Sequence, residues 1–156
     1  MTARYLEDYR VGQKFGSGRV RMDKDRIKAF AAEFDPQPFH LDEEAARHTI
    51  FGGLASSGWH TAAVTMRLLV DSDLNPVGGI VGAGGELRWL RPVRPGDELR
   101  IESEVLEVRP SSSRLDQGLI KVRTTTLNQN DETVQITVAN LVVSRRPDAA
   151  HPERTP

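Results

Sequence analysis

From Gly58 to about Val70 the chain carries a helical run that is apolar over most of its circumference. Trp59, Ala62, Ala63, Met66, Leu69 and Val70 fall on one stripe at helical spacing, and Val64 and Leu68 widen it. Such a helix has to be covered from more than one direction, so it is expected deep inside the fold. Asn75-Pro76 and Gly78-Gly79 end it. Downstream, the period changes from that of a helix to that of a strand.

Glu86 to Val93 reads as a first strand. Leu99, Ile101, Ser103 and Val105 alternate in a second, introduced by a Pro95-Gly96-Asp97 turn. Ile120, Val122, Thr124 and Thr126 alternate in a third, and Val134, Ile136, Val138, Asn140 and Val142 in a fourth. The polar loops between them are short, as antiparallel neighbours require. Ahead of the helix, Gly12 to Met22 reads as an irregular strand in which Gly16 and Gly18 permit a bend. Asp23 then offers an N-cap to a helix with Ile27, Phe30, Ala31 and Phe34 on its buried face. Pro36 and Pro38 stop that helix, and Asp42 caps a short one through about His48. The economical packing of these elements is α+β, an antiparallel sheet wrapped around one long central helix, which is the hot-dog architecture. Residues 1–146 form its single domain, and the polar, proline-rich 147–156 is expected to be a flexible tail.

Charge and composition narrow the function. With 21 basic and 22 acidic residues the formal net charge is −1, which argues against a nucleic-acid binder or a membrane-surface protein. Cysteine is absent, so thiolate chemistry, disulfides and cysteine-ligated zinc are excluded. The first residues carry no apolar run of signal-peptide type, which makes a cytoplasmic location the expectation. An exposed sheet edge beside a half-covered helix would favour a homodimer or a higher homo-oligomer.

The chemistry concentrates in Phe34-Asp35-Pro36-Gln37-Pro38-Phe39-His40-Leu41 and in the glycine-rich approach to the helix, Gly52 to His60. The two prolines restrict the loop so that Asp35 and His40 can face one cavity. A carboxylate and an imidazole side by side can divide proton handling at neutral pH. The competing reading makes Asp35 an N-terminal cap and His40 a surface histidine. His60, on the helix beside a tryptophan, reads as a packed or hydrogen-bonded structural residue. Arg88, Arg91 and Arg94 read either as contacts to the phosphates of a coenzyme A carrier or as solvent-facing strand positions. Gly78 to Gly85 lacks the Lys-Ser/Thr of a phosphate loop and is read as a flexible lead into the next strand.

Asp35-Pro36-Gln37-Pro38-Phe39-His40-Leu41-Asp42, followed by Phe51-Gly52, Ser57-Gly58 and the Arg91-Pro92-Val93-Arg94-Pro95-Gly96-Asp97 turn, resembles the MaoC-like dehydratases, a family that includes the (R)-specific enoyl-CoA hydratases. The resemblance implies a hydro-lyase that adds water reversibly to a trans-2-enoyl thioester. Asp35 and His40 would then be the catalytic pair and the Gly58 amide the donor to the thioester oxygen. Pro38, Phe39, Ser57 and Trp59 would contact the substrate, an acyl-CoA or acyl-carrier thioester, and no metal or separate cofactor is implied. The chain departs from the family's pattern at Gln37, Phe34, Ser57 and Met66, the last standing where characterised hydratases can carry a serine. These departures keep two alternatives open: a non-catalytic acyl-thioester-binding subunit, and a hot-dog acyl-CoA thioesterase.

Overall fold

The computed structural model describes residues 2–150. Its strands are β1 (Lys14–Gly16), β2 (Val20–Arg21), β3 (Val81–Trp89), β4 (Glu98–Pro110), β5 (Gln117–Leu127) and β6 (Thr133–Ser144). They form one antiparallel sheet in the order β1–β4–β5–β6–β3, with β2 pairing on β4. Among the described residues a 3-10 turn (Leu6–Asp8) and five α-helices accompany it: α1 (Lys24–Phe34), α2 (Pro38–Leu41), α3 (Glu43–Arg47), α4 (Gly58–Val70) and α5 (Pro147–Ala150). Leu68 and Leu69 of α4 share one buried cluster with Ile101, Val105, Ile120, Val122, Leu141 and Val143 of the sheet. Burying each such side chain contributes about 1.5–3 kcal/mol, so the sheet face and α4 hold one another in place. This is the expected α+β hot-dog arrangement.

Local signals behave largely as their chemistry dictates. Asp42 caps α3 through its side chain, which accepts from the Ala45 amide at 2.8 Å. Asp23 stands at the N-cap of α1, but its side chain accepts no amide there. Ile27 and Ala31 of α1 are fully buried, whereas Phe34 is 65% exposed and Phe30 is half-buried, so the apolar face is narrower than its spacing predicts. The α4 helix ends earlier than Asn75-Pro76, at Val70, where the Asp71 amide closes the last turn on Arg67 and Leu69.

Three expectations need correcting. The buried stripe of α4 is Thr61, Thr65, Leu68 and Leu69, not the one through Trp59, Met66 and Val70. The Thr65 hydroxyl is tolerated inside because it finds partners, Thr126 Oγ1 at 2.7 Å among them. In β6 Val134 is in the core as its place in the alternation suggests, but the other core positions are Gln135, Leu141 and Val143, which lie opposite Thr126, Ile120 and Gly118 of β5. The set Ile136, Val138, Asn140 and Val142 lies on the other face, beside Thr125, Arg123, Lys121 and Leu119. Finally, β3 begins at Val81, so most of the glycine-rich segment is strand. Gly85 is required there: a Cβ would meet the Val138 carbonyl oxygen of β6 at 2.3 Å.

Pro147–Ala150, the first part of the expected tail, forms a helical turn, and the rest of that tail with His151 lies outside the described residues. No helix among the described residues is long and apolar enough to cross a membrane.

Candidate active site

Asp35 is the C-cap of α1, its amide donating to the Ala31 carbonyl at 2.8 Å. The backbone then doubles back, with the Gln37 amide donating to the Asp35 carbonyl at 2.7 Å. Pro38 opens α2 at its first position, where a missing N–H leaves nothing unsatisfied. His40 therefore rides on a single helical turn rather than in an open loop, and that turn swings its ring beside Asp35. His40 is 4% exposed, which removes the surface-histidine reading.

Two bonds lock that ring. The Ala55 amide donates to the Phe39 carbonyl at 3.0 Å, and His40 Nδ1 lies 2.6 Å from the Ala55 carbonyl oxygen. A carbonyl oxygen only accepts, so Nδ1 carries the hydrogen and Nε2 is left to exchange a proton. Nε2 stands 3.2 Å from Asp35 Oδ2. That oxygen also accepts the Ser57 hydroxyl at 2.7 Å, and the Gln37 side-chain amide donates to Oδ1. Burial acts to raise the Asp35 pKa, but the Ser57 and Gln37 hydrogen bonds and the His40 imidazole outweigh it. The carboxyl is held below its ordinary range. Ser57 is also the N-cap of α4, accepting the Trp59 amide on the same hydroxyl oxygen.

Asp35 and His40 open onto a cavity of about 530 Å³. Phe39, Phe51 and Trp59 make its apolar wall, Gly58 and Thr61 bring in the start of α4, and Trp89 to Val93 close the far side. Phe39 packs edge-on against His40 at 4.5 Å between centroids and against Phe51 at 5.0 Å. Among the described residues the Gly58 amide has no acceptor, whereas the amides of His60 and Thr61 are taken by the Ser57 carbonyl. The Trp89 indole lies against the Gly58 backbone so closely that a Cβ there would sit 2.5 Å from the ring. Trp89 is itself fixed, Nε1 donating to Gln135 Oε1 at 3.0 Å while Gln135 Nε2 donates to Thr65 at 3.2 Å.

Of the residues singled out in the sequence, Asp35, His40, Gly58, Phe39 and Trp59 line this one cavity. Ser57 is fully buried behind it and reaches it through Asp35, and Pro38 is exposed, shaping the turn. Trp89, Phe51 and Thr61 were missed because each comes from a segment whose only sequence signal is strand, loop or helix. Arg94 is neither free nor solvent-facing: its guanidinium donates to the carbonyls of Gly53 at 2.9 Å, Leu54 at 3.2 Å and Phe51. That clamp fixes the loop carrying Phe51 and Ala55, hence the His40 ring. Arg91 lines the cavity and pairs with Glu132 at 3.2 Å. His60 is structural, with Nδ1 3.2 Å from Ser56 Oγ and its ring stacked on Phe30. No group of three or more histidine, aspartate or glutamate side chains among the described residues is placed to hold a metal ion.

Comparison with known proteins agrees with the fold. The family model described as MaoC like domain matches residues 8–128. The crystal structure of the MaoC-like dehydratase from Rhodospirillum rubrum superposes with a TM-score of 0.90 at 59% identity, covering 93% of this chain and 99% of that one. The uncharacterized protein YdeM of Bacillus subtilis is 36% identical over 129 residues, 81% of this chain and 89% of its own. The 3-hydroxybutyryl-CoA dehydratase of Methylorubrum extorquens is 30% identical over 110 residues, 70% of this chain and 69% of its own.

Proposed function

The chain belongs to the MaoC-like domain family, and on that premise we propose that it is a hydro-lyase adding water reversibly to a trans-2-enoyl thioester of coenzyme A. The observation that carries the reading is the 3.2 Å approach of His40 Nε2 to Asp35 Oδ2 at the head of an apolar cavity. A relative whose name is 3-hydroxybutyryl-CoA dehydratase supports the reaction class.

In this reading the acyl group lies among Phe39, Trp59 and Trp89, with Pro38 and Ser57 shaping the site behind it. The Asp35 carboxylate takes a proton from water as the water oxygen bonds to C3. Electron density moves through C2 to the thioester oxygen, where the Gly58 amide and the positive end of α4 meet it. The protonated His40 Nε2 delivers its hydrogen to C2, completing the addition. Asp35 then returns its proton to His40 across the short gap between them, restoring both groups. A second copy of this chain would cover the outward side of α4 and the edge of β3, giving a homodimer.

The experiment is hydration of crotonyl-CoA, followed as loss of enoyl-thioester absorbance. Asp35→Asn and His40→Ala should each abolish turnover while circular dichroism stays that of the wild type. Wild-type rates in both variants would refute the assignment. A second reading, acyl-thioester binding without turnover, draws on the Trp89 ring packed over Gly58, where the thioester carbonyl has to arrive. Binding of crotonyl-CoA with no hydration would favour it.

A further inference from the structure

The cavity beside the catalytic pair stops short along α4. Thr61 lines it, but Thr65, one turn further on the same face of the helix, does not, and neither does Gln135 of β6. The Trp89 indole stands at that limit. Trp89 lies opposite Gln135 across the β3–β6 ladder, and its Nε1 donates to Gln135 Oε1 at 3.0 Å. The ring also leans on the Gly58 backbone and meets Trp59 edge-on, 5.1 Å between centroids. An indole held from these directions is a fixed wall.

Behind the wall the interior is polar. Gln135 is fully buried, its Nε2 donates to Thr65 Oγ1 at 3.2 Å, and Thr65 shares a hydrogen bond with Thr126 at 2.7 Å. Among the described residues no buried side-chain nitrogen or oxygen lacks a partner. A hydrocarbon chain driven past the ring would find no apolar continuation of the cavity. It would have to break the Trp89–Gln135 bond and strand a buried amide oxygen, which costs more than burying one further methylene returns.

This wall bears directly on the acyl group. With the thioester oxygen at the Gly58 amide and C3 beside Asp35 and His40, the carbons just beyond C3 meet the ring that leans on Gly58. We propose that Trp89, pinned by Gln135, is the specificity-determining residue of the site and restricts it to short acyl groups of crotonyl size, excluding octenoyl chains. The proposal rests on the hydratase reading for the placing of the thioester.

The test compares kcat/KM of the full chain for crotonyl-CoA and for trans-2-octenoyl-CoA. The wild type should prefer the crotonyl thioester by about tenfold or more, the scale on which a hydrophobic pocket separates substrates of different length. Trp89→Ala should reduce that preference by about tenfold or more, through a higher rate on the octenoyl thioester. Gln135→Leu lies outside the cavity, keeps the side-chain bulk and removes the acceptor that holds the indole. It should move the preference in the same direction, and it carries the test alone where Trp89→Ala does not fold. A purely structural role for either residue would lower both rates together and leave their ratio unmoved. A wild type that hydrates both thioesters equally well overturns the proposal, as does the wild-type preference in folded Trp89→Ala or in Gln135→Leu. Should the wild type hydrate neither, the function reading fails, and the affinities of butyryl-CoA and octanoyl-CoA, which need no turnover, still decide the wall. Octanoyl-CoA should then bind about tenfold more weakly or worse. Equal affinity, or binding of neither, overturns the size limit.

Discussion

The Ser57 hydroxyl donates to Asp35 Oδ2 at 2.7 Å and, on its oxygen, accepts the Trp59 amide at 3.3 Å. One side chain thus starts the central helix and fixes the carboxylate. Met66, one of the positions where the sequence departs from the family's pattern, is 48% exposed.

Ser57→Ala should remove both interactions. Losing an N-cap costs about 1 kcal/mol and losing a hydrogen bond to a charged group about 1.5–3 kcal/mol, so urea unfolding should show a loss of about 2–4 kcal/mol. With Asp35 less well held, kcat should fall about 10- to 100-fold while KM moves much less. Ser57→Thr keeps the hydroxyl and should restore most of the rate. A variant that loses stability but keeps kcat within twofold would make Ser57 a cap and nothing more.

The lowered pKa of Asp35 has a signed consequence for stability. Burial works against ionisation, and the Ser57 and Gln37 bonds with His40 overcome it, so the folded pKa lies below the unfolded value of about 3.9. The folded state binds the proton less readily than the unfolded chain, and the stabilisation is complete above the unfolded pKa. It is lost as pH falls through the folded one. Asp35→Asn has no such proton to bind. Its unfolding free energy, measured in urea from pH 3 to 7, should therefore fall less steeply on the acid side, and the gap between the two proteins should narrow below about pH 4. A gap of constant size down to pH 3 would contradict the folded-state ionisation.

Much of this was legible in the sequence, and the failures share a physical origin. Asp35, His40 and the start of α4 are set by proline and glycine chemistry that acts within a few residues, so their placement could be read locally. The hot-dog arrangement followed from one helix and a series of period-two strands. The wrong face of α4 came from treating apolar residues as buried by default. Thr65 is inside because Thr126 and Gln135 wait across the sheet, which no local pattern reveals. In β6 the β-branched residues occupy both faces, so only the pairing with Lys121 and Arg123 shows which one is outside. Arg94 clamps carbonyls 40 to 43 positions back in the chain, and Trp89 meets Gly58 only after folding.

That meeting can be tested by a double-mutant cycle. Gly58→Ala places a methyl group 2.5–2.8 Å from three atoms of the Trp89 indole, whose ring is held by Gln135. Overpacking of this kind typically costs about 1–3 kcal/mol. Trp89→Ala alone should also destabilise, by leaving a void beside α4. Combined, the two should cost less than the sum of the single effects by about 1 kcal/mol or more, because the clash vanishes with the ring. Unfolding free energies of the four proteins check it, and simple additivity would mean that the ring and Gly58 do not touch.

The last prediction concerns the surface that the single chain leaves open. β3 is the edge of the sheet, and the T-shaped contact of Trp59 with Trp89, 5.1 Å between centroids, joins that edge to α4. On this side Trp59, Met66, Val70, Val81 and Leu90 are all about half exposed or more, beside a row of unpaired backbone groups. A second copy laying its own β3 along this edge would extend the sheet and cover the α4 stripe in one step. Sedimentation of the 17.3 kDa chain at tens of micromolar should then give twice that mass. Met66→Glu would bury an unpartnered carboxylate in that contact, at a cost of about 3–5 kcal/mol, which weakens association by about a hundredfold or more. The variant should sediment as a single chain with an unchanged far-UV spectrum. A wild type that remains a monomer, or a Met66→Glu protein that still pairs with wild-type affinity, would place the covering of this surface elsewhere.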